Sequence, residues 1–564
     1  MKFDVAIIGG GPAGSTLAGL LRKYAPELSV GIFERATFPR EHVGESQLPL
    51  IGEVLHELGV WDKIEAAGFP IKIGATYRWG RTDDLWDFEF LAGDTFRSGR
   101  RPGKYEGQRR QTAFQVERSI YDDILLRHAQ SLGAEVFMPC SVRRVEHLNS
   151  AIHHLETDLG QVEARAYVDA SGNAAVLRRG LNVPVHEPSR LKNVAFWTYW
   201  DDAEWSVVID VEATRVNVMS LGYGWIWFIP ISKRRVSIGL VVPAEYYKST
   251  GLRPEELYYR SLADEPLISR LTANAQPEST VHATKDWSFV AERLVGPNWY
   301  LVGESAGFAD PILAAGLTLT HVGARDLACV LRAGLTGQDD LAWLAGHYEH
   351  LQQRRVRQHI RFADYWYSAN AHFSELKEFV SSLAEEAGLS LSPDQAFQWL
   401  GTGGFANDDW RVARVATFSL AATRQLTQHF GGAPAEWQLS RYSHVRRSAA
   451  AGEPETIPAF HMGQVLRRPA LRRGDAVLPL VGAYAKWADF LATERAAPEC
   501  LAMIESSFPT PAARQNALEV LEAMIIDGWV EGRKETNGPT FAIEVPEDSE
   551  VLHKNRDLQI PATA

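Results

Sequence analysis

The sequence predicts an α/β fold: a doubly wound nucleotide-binding sheet carrying an inserted antiparallel sheet, followed by a mostly helical C-terminal region. Three observations lead there. Residues 2–34 run strand, glycine turn, helix, strand. Strand, small-residue turn and helix then recur as far as Asp169–Gly172, the alternation of a doubly wound sheet. Between residues 193 and 243, short runs rich in β-branched and aromatic residues replace that alternation.

In the first unit, Phe3, Val5, Ile7 and Ile8 form the apolar run of a buried parallel strand. Gly9-Gly10-Gly11-Pro12-Ala13-Gly14 follows as G-x-G-x-x-G, ahead of helical spacing from Ser15 to Tyr24. A second apolar run, Val30 to Phe33, ends in Glu34, twenty residues beyond Gly14. Dinucleotide binding needs this order. Gly9 makes the turn, Gly11 admits the pyrophosphate to the helix N-terminus, and Gly14 lets helix and strand pack closely. Glu34 suits ribose hydroxyls without a 2′-phosphate, as in FAD or NAD. A structural turn alone would not require the strand, the helix and the acid together.

The 564 residues suffice for two to four structural units, and 45% hydrophobic with 23% charged residues is an ordinary globular composition. A net charge of −12 argues against nucleic acid as a partner. Cys140, Cys329 and Cys500 show no metal spacing and are too few for a disulfide framework, so no metal and a reducing cytoplasm are expected. The first apolar run belongs to a strand and not to a signal peptide, and no apolar span reaches membrane length, so no membrane partner is expected.

Further along, Phe38-Pro39-Arg40 and His42-Val43-Gly44-Glu45-Ser46 precede a helix-like stretch from Leu48 to Leu58. Gly44-Glu45-Ser46 is placed either to bring backbone N–H groups to a flavin or its phosphates, or to cap that helix through Ser46. Alternation at Ile71, Ile73, Ala75 and Tyr77 predicts a strand. It puts Lys72 on the opposite face from Ile71 and Ile73, and on its own this reads as a solvated residue. Residues 93–112, with Arg97, Arg100, Arg101, Lys104, Arg109 and Arg110 among glycines, predict a mobile solvated loop, or else a lid or docking surface. Ile120–Gly133 is helical, with Tyr121, Ile124, Leu125 and His128 on one face.

The strands of the inserted sheet are expected at Val194–Trp200, Trp205–Val211, Arg215–Leu221, Gly224–Ile231 and Arg235–Val242. Helical spacing at Pro254–Thr272, a strand entering a glycine-rich turn at Trp299–Pro311 and a long helix from Leu317 to Leu335 follow. From Asp340 the pattern is mostly helical, with a linker at residues 449–454. A helix at Pro511–Gly528 and a hairpin of Trp529–Lys534 with Phe541–Val545 outline a winged-helix-like end, and Arg467, Arg468, Arg472 and Arg473 read as a solvated face. The expected domains are 1–350, with the inserted sheet at about 186–285, then a helical extension 351–465 and a winged-helix-like region 466–564.

Over residues 1–350 these features resemble the flavin-dependent halogenases, a branch of the class A flavoprotein monooxygenase fold. Trp225-Ile226-Trp227-Phe228-Ile229-Pro230 matches the family's W-x-W-x-I-P motif, carried here by Trp225, Trp227, Ile229 and Pro230. That motif separates halogenases from hydroxylases and prenyl reductases of the same fold, which form the alternative reading. A flavin-binding regulator using its C-terminal region on DNA is a third. The resemblance implies FAD, with cofactor contacts at Gly9, Gly11, Pro12, Ala13, Gly14, Glu34, Arg40, Gly44, Glu45, Ser46, Arg118, Gly303, Glu304, Asp310 and Gly316. It also implies that a separate flavin reductase supplies reduced FAD. Oxygen and chloride or bromide then give hypohalous acid, which passes to a catalytic lysine matched by Lys72.

Phe308-Ala309-Asp310-Pro311-Ile312-Leu313-Ala314-Ala315-Gly316 resembles the family's second motif, F-x-x-P-x-x-S-x-G, with Ala314 in place of the serine. Backbone N–H groups at Ala315 and Gly316 are the implied halide contacts. The glutamate that tryptophan halogenases carry in this turn is missing, which argues against free tryptophan. It favours an activated small molecule such as a phenol, a pyrrole or an enolisable carbonyl compound, free or on an acyl or peptidyl carrier protein. The long C-terminal extension resembles the chloramphenicol-pathway type, in which an aspartate bonds covalently to FAD, and Asp286 is the matching candidate.

Overall fold

A computed structural model describes residues 1–80, 83–91, 93–187, 192–210, 213–285, 288–376, 437–450, 452–474, 476–536, 538–541, 552–555 and 558. The chain divides into two compact units. One comprises Met1–Ala387, Phe460–Gln464 and His553–Ala564; the other comprises Gly388–Ala459 and Val465–Leu552.

The first unit holds the expected Rossmann-like sheet. Parallel strands lie in the order Glu135–Phe137, Val30–Phe33, Lys2–Ile8, Gly160–Asp169, with Trp299–Leu301 beside Gly160–Asp169. The first two strands in sequence are buried along nearly their whole length, as apolar runs in a parallel sheet covered on both faces should be. Helices Pro12–Tyr24, Arg118–Ser131 and Gly316–Leu335 pack beside one another. They are tied at one buried point: His321 bonds Thr16 Oγ1 at 2.9 Å and Tyr121 Oη at 2.8 Å. Burial pushes its pKa down to about 3, so the imidazole is neutral and bridges two hydroxyls.

The inserted sheet runs in the order Gln276–Pro277, Asn193–Asp201, Arg235–Pro243, Trp225–Pro230, Ala213–Ser220, Ile71–Arg78, Trp86–Glu89. It is antiparallel except where Ala213–Ser220 runs parallel to Ile71–Arg78. The Trp205–Val211 run is not one of its strands. Residues 202–210 connect strands that stand on opposite sides of two others, make an isolated bridge between Ile209 and Ala213, and bury Val207 in the core beneath, so the apolar character of the run reflects mainly packing. The expected helix over Pro254–Thr272 is broken in two, Pro254–Asp264 and Pro266–Leu271, because Pro266 removes an N–H and Glu265 caps the second piece at Ile268 N.

Residues 93–112 are not a free excursion. Arg101 and Arg109 both pair with buried Glu65, and Trp61 Nε1 donates to the Gly103 carbonyl at 2.7 Å. Two of the six cations thus face inward and anchor the segment.

Residues expected to be helical extension and linker form strands His444–Arg447 and Glu453–His461, and strand Gln464–Arg473 pairs with Ala476–Pro479. Helices Gly482–Phe490, Ala497–Ser507 and Pro511–Ile526 close over Trp487 and Trp529. Strand Val530–Arg533 pairs with His444–Arg447; of its expected hairpin partner Phe541–Val545, residues 542–545 lie outside the described residues. Arg472 bonds Glu455 at 2.8 Å, and Arg473 lies over the Trp529 ring while donating to the Gly528 carbonyl at 2.8 Å.

Candidate active site

The glycine turn leaves the first strand with Gly9 at φ +104°, where a Cβ would meet the Ala170 carbonyl oxygen at 2.4 Å. At Gly14 a Cβ would sit 2.0 Å from the Gly9 carbonyl oxygen, so helix and strand approach only because both residues lack side chains. Gly11 differs. Its φ is −69°, and a Cβ there would meet only an Arg40 guanidinium nitrogen, at 3.3 Å. Helix Pro12–Tyr24 starts here with Pro12 in its first turn and no side-chain cap. An uncapped helix N-terminus, an open glycine and a guanidinium together fit a pyrophosphate.

Glu34 is buried, and its two oxygens accept from Gly10 N at 2.7 Å and Ala36 N at 2.8 Å, so it also braces the glycine turn. Arg40 stacks on Phe38 at 4.7 Å and lies 3.4 Å from Asp122. Arg118, expected at the cofactor, gives each guanidinium nitrogen a protein partner. Asp122 takes Nε at 2.8 Å and Nη2 at 2.9 Å, and the Val43 and Gly44 carbonyls take Nη1 at 2.9 and 3.1 Å. It is a strut beneath Gly44–Ser46.

That segment is bound edge to edge: Val116 N donates to the Glu45 carbonyl, and Gln47 N to the Phe114 carbonyl. Glu45 is 1% exposed and accepts from Tyr199 Oη and Gly44 N, both at 3.1 Å. Burial pushes its pKa up to about 7 against the pull of these donors. The Ser46 hydroxyl and both polar atoms of the Gln115 side chain are buried without a hydrogen-bond partner in the protein. Such groups suit a polar ligand bound against this segment.

Lys72 is not solvated. It is 2% exposed, its Nζ donates to the Gln47 carbonyl at 3.0 Å, and the Phe90 ring centroid is 5.3 Å away. Burial alone lowers its pKa to about 7. Its direction depends on a bulge. Lys72 pairs with Thr214 and Gly74 with Arg215, so two steps along one strand answer a single step along the other. The extra residue breaks the expected alternation. Lys72 shares a sheet face with Ala75 and Tyr77, and through Thr214, Val216 and Val218 with Trp227. Gly74 permits the bulge, since a Cβ there would lie 2.2 Å from the Phe88 carbonyl oxygen.

Trp225, Trp227 and Ile229 point to this same face from strand Trp225–Pro230. Gly239, opposite Trp227 in register, makes room for the indole: a Cβ would lie 2.1 Å from the ring. The turn that follows Trp299–Leu301 approaches the same region. Gly303, Glu304, Phe308, Gly316 and Thr320 line one cleft. Glu304 has its pKa raised by burial, with Arg118 and Arg40 pulling it down. Asp310 accepts from Ile312 N, from Tyr367 Oη and from Asn193 Nδ2, at 2.9, 3.0 and 3.2 Å. Ala314 then takes φ +52°, and helix Gly316–Leu335 begins with Ala315 at its N-cap and no side-chain cap. Asp286 lies outside the described residues. Among the described residues no cluster of metal-ligating side chains occurs, and no helix is long and apolar enough to cross a membrane.

Tyr367 and Asn193 carry no motif signal, yet they join both sequence motifs. Trp225 Nε1 donates to Tyr367 Oη at 2.7 Å, and Tyr367 in turn donates to Asp310.

Comparison with known proteins agrees with this arrangement. The tryptophan halogenase family pattern matches residues 4–110 and 97–376. A tryptophan 2-halogenase of Chondromyces crocatus is 32% identical over 382 residues, 65% of this chain and 68% of that protein. A 1H-pyrrole-2-carbonyl-[peptidyl-carrier protein] chlorinase of Pseudomonas fluorescens is 32% identical over 388 residues, 66% and 85% of the two chains. The myxobacterial chondrochloren halogenase structure superposes with a TM-score of 0.59 at 27% identity, over 69% of this chain and 91% of that one. The flavin-dependent halogenase CmlS, at 21% identity, shares the fold over 98% of this chain and 100% of its own, with a TM-score of 0.74. On these grounds the chain belongs to the tryptophan halogenase family, and it is a flavin-dependent halogenase, an enzyme that works with FAD and halide.

Proposed function

We propose that the enzyme takes reduced FAD from a separate flavin reductase and turns chloride or bromide into hypohalous acid, which Lys72 receives and delivers to an activated small molecule. The observation that carries this reading is a buried lysine with no carboxylate paired to it among the described residues, on the sheet face of the tryptophan motif. The glycine turn, Glu34, Arg40, Gly44–Ser46, Gly303 and Glu304 would hold FAD, whose chemistry when bound is oxidation of halide at the expense of O2. Gly11 leaves the pyrophosphate its approach, and Arg118 keeps Gly44–Ser46 in place.

Halide would rest on the N–H groups of Ala315 and Gly316, at the positive end of a 20-residue helix. That contact needs no side chain, so Ala314 does not preclude it. At Lys72 the ammonium can hydrogen-bond hypohalous acid. The neutral amine can exchange a proton for the halogen, releasing water, and then return halogen to a substrate carbon in exchange for the proton that carbon loses. Confinement between buried aromatic residues keeps the reactive species from water.

Ile312 and Leu313 are buried and apolar, so residues 312–314 offer no carboxylate to take a ring proton. This favours phenols, pyrroles or enolisable carbonyl compounds over free tryptophan. The relatives that chlorinate or brominate pyrrole-2-carbonyl on a peptidyl carrier protein support a carrier-tethered substrate.

The test supplies reduced FAD, O2 and bromide with a simple phenol, with pyrrole-2-carbonyl on a carrier protein, and with tryptophan. Brominated phenol or pyrrole is expected. Bromination of tryptophan alone would overturn the substrate assignment.

Asp286 is further proposed to hold FAD covalently. Acid-precipitated wild-type protein should then stay yellow and Asp286→Ala should lose its colour, whereas fully extractable flavin in the wild type would exclude the bond.

A further inference from the structure

We propose that Tyr367 is a positioning residue for halide: its hydroxyl, held between Trp225 Nε1 and Asp310 Oδ1, fixes the 310–316 turn against the tryptophan strand. This rests on the reading that Ala315 and Gly316 N–H groups bind halide.

Three elements meet at this hydroxyl. Trp225 opens the strand of the tryptophan motif, Asp310 opens the turn, and Tyr367 ends the 28-residue helix Leu341–Ser368. Tyr367 Oη accepts from Trp225 Nε1 at 2.7 Å and from Asn193 Nδ2 at 3.3 Å, and donates to Asp310 at 3.0 Å. Asn193 Nδ2 also reaches Asp310 Oδ2 at 3.2 Å, closing a ring of three side chains. All four residues are buried, so no water stands ready to replace a lost partner.

Asp310 converts this ring into a position for the turn. Its Oδ1 also accepts from Ile312 N at 2.9 Å and caps the short helix Pro311–Leu313. Ala314 N closes that turn on the Pro311 carbonyl, in the left-handed region, and Ala315 and Gly316 follow directly. The helix from Gly316 fixes the far side of the turn; the near side follows the pairing of Phe308 with Phe289, and the Asp310 ring ties it to the tryptophan strand. Removing the Tyr367 hydroxyl leaves both the Trp225 donor and one Asp310 acceptor site without it, while the aromatic packing on Trp79 at 5.8 Å and Phe373 at 6.0 Å survives.

The experiment compares wild type, Tyr367→Phe and Asn193→Ala as purified FAD-loaded proteins. Bromide binding is read from the rise in Tm with bromide against sulfate at equal ionic strength, and KM for bromide is measured separately from kcat. FAD affinity is followed by flavin fluorescence. Tyr367→Phe should keep FAD affinity within about twofold, and weaken bromide binding and raise bromide KM by about tenfold, with kcat at saturating bromide nearly kept. Asn193→Ala should shift the same quantities in the same direction by less, and it decides the matter should Tyr367→Phe fail to fold. Unchanged bromide binding in the folded variants, or equal loss of FAD and bromide, overturns the positioning role. A wild type that binds no bromide while still halogenating would instead remove the halide turn on which the proposal rests.

Discussion

Lys72→Ala should leave FAD bound and reduced flavin reoxidised at close to the wild-type rate, while halogenated product per flavin consumed falls by about 10²- to 10⁴-fold. The two chemistries separate because the lysine's ammonium is held by the Gln47 carbonyl and lies against the Phe90 ring, neither of them part of the glycine turn. Lys72→Arg should not rescue product. Guanidinium stays charged, is poorly matched to this buried space and cannot exchange a proton for halogen.

The same burial gives a pH signature whose sign is fixed. The Lys72 pKa falls from 10.5 to about 7 on folding, so between those values the unfolded chain binds more protons than the folded one. Stability therefore rises with pH across that window, and the cost of burying the amine is greatest below it. Lys72→Met, which keeps the length and removes the charge, should gain more Tm over wild type near pH 6 than near pH 10. Product formation through the neutral amine should climb as pH passes about 7. Equal product from wild type, Lys72→Ala and Lys72→Arg would refute the role, and a Tm difference independent of pH would refute the depressed pKa.

How far such features can be read from sequence follows the range of the interactions behind them. The glycine turn is announced by its spacing: Gly14 is dictated by the Gly9 carbonyl and Ile7 within the same strand–turn–helix, and Gly9 by Ala170 at the end of the neighbouring strand. Lys72 is not local. Alternation set it opposite Ile71 and Ile73, which is correct, but its sharing a face with Tyr77 depends on register with Thr214 and Arg215, some 140 residues later. The signal available was Gly74, a glycine inside a strand pattern. Tyr367 lies 142 residues from Trp225 and 57 from Asp310, beyond any periodicity. The strands at 453–473 were hidden by Pro458, on an edge strand, and by Pro469, on the middle strand of three. Their turn was nonetheless marked by Met462-Gly463, both at positive φ.

Gly11→Val and Gly14→Val, three residues apart in one motif, should fail in opposite ways. At Gly14 the added carbon meets the Gly9 carbonyl oxygen at 2.0 Å and the Ile7 side chain at 3.1 Å. Backbone cannot yield there without pulling the first helix off the central strand, so Gly14→Val should not accumulate as folded protein. At Gly11 the backbone conformation suits any residue, and the only neighbour is the far end of Arg40, a flexible side chain. Gly11→Val should therefore fold, with a Tm within a few degrees of flavin-free wild type. What it loses is the approach of the pyrophosphate to the helix N-terminus, and FAD affinity should fall by about two orders of magnitude or more. Far-ultraviolet circular dichroism and thermal melting report the fold, and absorbance of the purified protein near 450 nm, the usual band of oxidised flavin, reports the cofactor. A yellow Gly11→Val would show that the phosphates do not use this turn. A colourless but unfolded Gly11→Val would show that Arg40 is held too rigidly to move aside, which its stack on Phe38 and its contact with Asp122 would then explain.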